Sequence, residues 1–329
     1  MVVRLCRAGV WVPLGLIIWL LLLNYARGGR QDDQKNLRTK KADPLSKQEI
    51  QEAALANMNK KGVSAAATSA KSSKKFSTNK VDESQLTHAV IVAGHAVLRI
   101  NKLNSAERDD NAWYLLSYQL NQGFPGIITS HIKRGIQSAV EDPYAMLLFS
   151  GGQTRRDVGP TSEAASYYYL ANEKKWLLTK DGGSIAGRVY LEEHARDSYE
   201  NLLYSICRFR EVSGHYPTKV TVVGFDFKAK RFTDLHRSAI GFPAANFSYV
   251  GLRPAHSLFD HTKATRGEED TIRVFKNDMY GCSAALAGKR DIRNPFRRTS
   301  PYELACPELK KLLFWCGPDL YTAPLRWSQ

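Results

Sequence analysis

The most constraining feature of the chain is an alternation that runs from residue 88 to residue 251. Short apolar or β-branched runs occur at 88–94, 145–150, 188–192, 219–224 and 247–251. Runs of this length and composition read as strands. Stretches of helical length lie between and around them, at about 108–122, 126–141, 161–178, 197–213 and 228–240. Continuous apolar strands alternating with helices predict a parallel sheet covered on both faces. Residues 81–255 therefore read as one α/β domain, and 256–329 as a C-terminal extension packed on it.

That architecture says where to look for a site. Open parallel sheets bind ligands outside the carboxyl ends of their strands. Unusual polar residues recur there: Gly94-His95 after the first strand, Ser150-Gly151-Gly152 after the second, Glu192 at the end of the third and Gly224 at the end of the fourth. Two glycines after a strand allow a tight turn and close backbone approach to a ligand. Thr161 or Ser162 can cap the next helix, whose free N–H groups favour an anion. Arg155 or Arg156 would add charge.

The stretch 192–201 is the most polar in the domain. A carboxylate at a strand end, as at Glu192, suits a general base, a metal ligand or an acceptor for sugar hydroxyls. Arg196 suits a phosphate or a partner carboxylate, and Asn201 lies one turn beyond Asp197. Asp197 with Glu200 also fits a helix-capping box, a purely structural role. Further on, Lys228 and Arg231 share a helix face and can hold an anion together. His236 lies on the same helix. No Gly-x-Ser-x-Gly elbow and no His-Glu-x-x-His motif occurs, which removes the common serine-hydrolase and zincin readings. No ligand cluster calls for a metal.

Charge and hydropathy divide the chain. The net charge is +15, but residues 1–80 carry 15 basic and 5 acidic side chains, so most of the surplus lies ahead of the α/β part. This argues against nucleic-acid binding. Residues 8–26 contain no charge and centre on Leu14–Leu23. A run of about 20 apolar residues predicts a transmembrane helix. It follows a short tail, 1–7, and precedes a basic stem, 27–80, too poor in apolar residues to order itself. The positive-inside rule would put the larger cluster, Arg27 to Lys41, in the cytosol. A short tail before a long C-terminal domain looks instead like a signal anchor. Of the five cysteines, Cys207 falls on an apolar helical face and reads as core, while Cys282, Cys306 and Cys316 cluster near the end. Two of those three are free to bridge if the domain is lumenal.

Taken in order, these motifs resemble the SanA/YdcF-like family, a domain of unknown function, and within it the eukaryotic membrane-anchored branch. Gly94 matches the glycine that ends the first strand, and Arg108 the arginine downstream of it. Ser150-Gly151-Gly152 and Ser162-Glu163-Ala164 match fully, as do Glu192, Glu200 and Asn201 of the long polar element. Ala195, Asp197 and Ser198 replace its Ser, Asn and Thr. Arg231 matches the final arginine, while Gly224 and Lys228 stand where the family has Thr and His.

The resemblance covers residues 86–253. It implies a three-layer αβα sandwich with a mostly parallel Rossmann-like sheet, preceded here by the one transmembrane helix. It favours a lumenal domain in the endoplasmic reticulum or Golgi. Bacterial relatives are linked to cell-envelope integrity, and nucleotide-type ligands such as S-adenosylmethionine have been proposed for them. The expectation is therefore an anion-binding domain handling a phosphorylated or nucleotide-linked glycan or lipid precursor. Glu192, Lys228 and His236 are its candidate catalytic groups. Gly94, Arg108, Ser150, Gly151, Gly152, Ser162, Glu163, Arg196, Asp197, Ser198, Asn201 and Arg231 are its candidate ligand-binding residues. A non-catalytic scaffold is the alternative. An S-adenosylmethionine-binding protein ranks behind both, because no Gly-rich loop follows the first strand.

Overall fold

Five strands form one parallel sheet: β1 (His88–Ala93), β2 (Ala145–Ser150), β3 (Val189–Glu192), β4 (Lys219–Phe225) and β5 (Phe247–Leu252). Their order is β3-β2-β1-β4-β5. Successive side chains of β1 feed opposite faces. Ala89, Ile91 and Ala93 join one buried cluster, and Val90 and Val92 join the other. Because both faces are covered, the central strands are apolar throughout, as the sequence pattern required. The computed structural model describes residues 81–254 and 257–327. The expected tail 1–7, membrane helix 8–26 and stem 27–80 lie outside the described residues. Among the described residues no helix is long and apolar enough to cross a membrane.

Helices α1 (Phe124–Glu141) and α2 (Glu163–Glu173) contribute to the second cluster, through Ile128, Ile132 and Ala139 and through Tyr167 and Leu170. Helix α3 (Ser198–Ser213) covers the first face with Leu202, Leu203, Ile206 and Phe209. Its limits follow from its caps. Asp197 accepts from Glu200 N, and Gly214 ends the helix at φ 82°, a conformation that glycine adopts without strain. The chain thus leaves β1 toward β2 on one face and returns from β3 to β4 on the other. The reversal makes β1 and β4 flank the topological switch point.

Three expected helices differ from the structure. The one expected at 161–178 ends at Glu173. Residues 108–122 form no α-helix, only the 3-10 turns Asp110–Ala112 and Ser117–Gln119. Trp113 is buried there, its Nε1 donating to Ala106 O, and it bridges Leu98 in antiparallel fashion. Burying that indole against the strand end outweighs the helical pattern. After β4, a 3-10 turn (Asp226–Lys228) leads to a π-helical stretch (Arg231–His236) that continues into Arg237–Ala239.

The extension contains α4 (His261–Asn277) and α5 (Ala284–Ile292). Phe275, Tyr280, Leu286, Tyr302, Leu309 and Leu312 join the same buried cluster as α3. Two disulfides fix this half. Cys207, buried on α3, bridges to Cys306, 99 residues later, and Cys282 bridges to Cys316. Cys207 is therefore a core residue and a tether at once. The sequence reading gave only the first role.

Candidate functional site

The strand ends bring together most of the residues singled out by sequence, but many of them are occupied with one another. Glu192 is fully buried. It accepts from Ser150 Oγ at 2.6 Å, His194 N at 2.7 Å, Ala195 N at 3.2 Å and Tyr302 Oη at 3.2 Å. Burial pushes its pKa up to about 7, against these hydrogen bonds. Asn201 Nδ2 donates to Ser150 O and Oγ at 3.1 and 2.9 Å. Four donors thus hold the carboxyl of this expected base inward, where it shapes the loop 193–195.

The groups of the expected anion cradle on Ser150–Gly152 and Ser162 likewise bond to protein atoms. Helix N-termini attract anions through unpartnered N–H groups, and those of α2 have partners. Glu163 N donates to Gly152 O at 3.3 Å, Ala164 N to Gly151 O at 3.2 Å and Ala165 N to Ser162 Oγ at 2.9 Å. Ser162 Oγ itself donates to Glu193 Oε1 at 2.6 Å. The glycines serve close packing instead. A Cβ on Gly152 would lie 2.8 Å from Ala195 O, and one on Gly151 2.6 Å from Glu163 Oε2. A Cβ on Gly94 would overlap the same Glu163 oxygen.

The loop before α3 is likewise self-contained. Arg196 forms a two-pronged ion pair with Glu200, at 2.9 and 2.5 Å. The Glu200 carboxylate also accepts from Arg196 N at 2.8 Å, one residue earlier than a capping box would place it. Asp197 pairs with Arg290 Nε of α5 at 2.7 Å, and Arg290 holds its carboxyl below the usual range despite burial. Arg293 Nη1 donates to Arg196 O at 2.9 Å and Arg298 Nη1 to Glu193 O at 3.1 Å. The extension therefore clamps the β3–α3 loop with three arginines. The sequence reading missed all three, although the basic cluster Lys289, Arg290, Arg293, Arg297 and Arg298 was there to be seen.

Ser198, Arg231 and His236 form a second network. Ser198 Oγ lies 2.7 Å from His236 Nε2 and accepts from Arg231 Nη1. Arg231 is buried and held by Glu268 of α4, Nε to Oε1 at 2.7 Å and Nη2 to Oε2 at 2.8 Å. The His236 ring sits among Tyr199, Phe232 and Phe275. Burial, and then the Arg231 charge, hold its pKa well below the usual imidazole range. His236, an expected catalytic group, is thereby a neutral imidazole paired with the Ser198 hydroxyl. It is the acceptor that orients the Ser198 hydroxyl.

Lys228 stands apart from these networks. Its ammonium follows β4 and faces His95, which follows β1, across the switch point, with Nζ 3.4 Å from His95 Nδ1. No carboxylate lies within ion-pair distance of it among the described residues. Burial, then Arg231 and Arg293, lower its pKa to about 7, while Glu268 and Glu163 act in the other direction. Arg293 is half-buried and also has no carboxylate within ion-pair distance among the described residues. Glu163 accepts from Thr154 Oγ1 at 3.1 Å, and burial raises its pKa. Tyr118, 60% exposed, lies within electrostatic reach of Arg293 and Glu163. Its loop is fixed by Gln119, which accepts from Leu116 N at 2.7 Å and donates to His95 O at 3.4 Å. Arg108 is exposed and makes no side-chain hydrogen bond or ion pair with this group. A shallow depression of about 390 Å³ on α4, lined by His261, Thr262, Thr265, Arg266 and Glu269, includes none of these residues.

Fold and site together define an α/β protein with a five-stranded parallel sheet and, at its switch point, a lysine that faces a histidine. An uncharacterized protein of Saccharomyces cerevisiae, YOR238W, is 32% identical over 197 residues, which cover 48% of this chain and 65% of the yeast protein. The chain thus spans just under two thirds of that relative. No protein-family model matches the chain. No solved structure matches it.

Proposed function

We propose that this is a SanA/YdcF-like, single-pass membrane protein of the secretory pathway. Its α/β domain binds, and on the enzymatic reading processes, a phosphorylated or nucleotide-linked glycan or lipid precursor. One observation carries the reading: Lys228 follows β4 at the switch point of a parallel sheet, beside His95 and with no carboxylate within ion-pair distance among the described residues, and Arg293 lies within electrostatic reach of it. Cations gathered in a partly dry site are unfavourable until an anion joins them. The exposed Tyr118 ring supplies a face on which a sugar or base can stack. Arg231, neutralised by Glu268, holds Ser198 rather than the ligand. Glu163, within electrostatic reach of Lys228, is the carboxyl we assign to the site in addition to Glu192. The two disulfides support a lumenal domain, since such bridges persist in oxidising compartments.

Thermal shift of the full chain with nucleotides, nucleotide sugars, sugar phosphates and S-adenosylmethionine tests this. A ligand at 100 times its Kd should add about 2.7 kcal/mol. Binding by phosphorylated compounds is expected, and their failure to bind would contradict the proposal. A non-catalytic scaffold is the second reading. The observation favouring it is that Glu192, Arg196, Asp197 and Asn201, the most polar residues of the strand ends, bond to protein groups. Turnover of any bound compound would dismiss it.

A further inference from the structure

Asn246-Phe247-Ser248 is the single Asn-x-Ser/Thr triplet in the chain. Such a triplet is the acceptor for N-linked glycosylation in the secretory compartments, and it must lie at the surface to carry a glycan.

The fold puts this triplet where a glycan fits. Ala244–Asn246 is a 3-10 turn whose three residues are all exposed. Phe247 opens β5 and packs on the cluster that contains Phe242, with the two rings 6.4 Å apart between centroids. Successive strand residues point to opposite faces, so an inward Phe247 sends Ser248 to the other face, where it is exposed. Neither the Asn246 amide nor the Ser248 hydroxyl has a hydrogen-bond partner among the described residues. β5 is the last strand in the sheet order, so its outer edge is unpaired. A glycan at its start stands beside that open edge and displaces no packed element. Such edges are commonly shielded from pairing with another chain. Asn246 also precedes β5, so it lies at the amino ends of the parallel strands. Lys228 lies beyond their carboxyl ends, and six strand residues span about 20 Å. Carbohydrate on Asn246 leaves the switch point clear.

We propose that Asn246 is a site of N-linked glycosylation. Its Nδ2 attacks the anomeric carbon of a lipid-diphosphate-linked oligosaccharide. The C–N bond forms, the bond from that carbon to the diphosphate oxygen breaks, the lipid diphosphate leaves and the amide gives up one proton. The proposal rests on the lumenal reading above and adds a modified atom to it. The two disulfides point to the same compartment.

Expression of the full chain in cultured eukaryotic cells, followed by peptide N-glycosidase digestion, tests the site. One downward step in gel mobility is expected, and mass spectrometry should find aspartate at position 246 of the digested chain. Asn246→Gln and Ser248→Ala should each abolish the step. Both positions are exposed, so both variants should fold. Ser248→Thr keeps the hydroxyl and should retain the step. Thiol alkylation of the same lysates before reduction reads the compartment separately. If the step is missing while Cys207, Cys282, Cys306 and Cys316 resist alkylation, the glycan is overturned and the lumenal reading stands. If the step is missing and all four are alkylated, both are overturned. A step that survives Asn246→Gln would also dismiss the site.

Discussion

At the residue scale, two buried ionisable groups pull stability in opposite directions with pH. The folded pKa of Glu192 lies above its unfolded value, so its stabilisation is complete below the ordinary glutamate range and is lost as pH rises through about 7. The folded pKa of Lys228 lies below its unfolded value, so its contribution is complete above the ordinary lysine range and is lost as pH falls through about 7. Variants separate the two. Glu192→Gln places an amide NH2 among four donors and should cost about 1–3 kcal/mol at pH 5. The wild-type advantage should shrink toward pH 8 in urea titrations. An advantage unchanged between pH 5 and pH 8 would show Glu192 ionised throughout. Gly152→Ala drives a Cβ against a backbone oxygen at 2.8 Å and should cost about 1–3 kcal/mol in the same assay. The identity of these residues as strand-end groups was legible in the sequence, because apolar runs ending in Gly or Glu mark where strands stop. Their partners were not. That Glu192 faces inward depends on Tyr302, 110 residues away, and no local pattern reports such a contact.

At the element scale, α4 is held to the domain by one buried ion pair as well as by Phe275. Removing one partner of such a pair leaves an uncompensated charge, which costs about 3–5 kcal/mol. Glu268→Ala should therefore destabilise the protein by that order in urea unfolding and free Arg231 from its position beside Ser198. A loss below about 1 kcal/mol would show the pair to be solvated rather than buried. The strands were readable to within a residue or so because central parallel strands need unbroken apolar runs. The helix expected at 108–122 was not found because Trp113 is buried by tertiary contact, which overrides local propensity. The π-helical stretch Arg231–His236 keeps helical composition, so its widened turn left no mark in the sequence.

At the scale of the whole molecule, the C-terminal extension builds the site rather than hanging from it. It supplies Glu268, Arg290, Arg293, Arg298 and Tyr302 to the strand ends, and the Cys207–Cys306 bridge ties it to α3. A disulfide closing so long a loop typically contributes about 2–5 kcal/mol. Cys306→Ser should lose that much in denaturant unfolding, and reductant, which also opens Cys282–Cys316, should lower the wild type at least as far. If the domain is lumenal, thiol alkylation of cell lysates before reduction should leave Cys207, Cys282, Cys306 and Cys316 unlabelled. Labelling of all four would place them in a reducing compartment. The central claim remains the anion site at Lys228 and Arg293. The most direct measurement is the Kd of the phosphorylated compound giving the largest thermal shift, for the wild type and for a Lys228→Gln, Arg293→Gln double variant that folds normally. Losing two charge-assisted contacts of about 1.5–3 kcal/mol each should weaken binding at least 100-fold. An unchanged Kd would contradict the account.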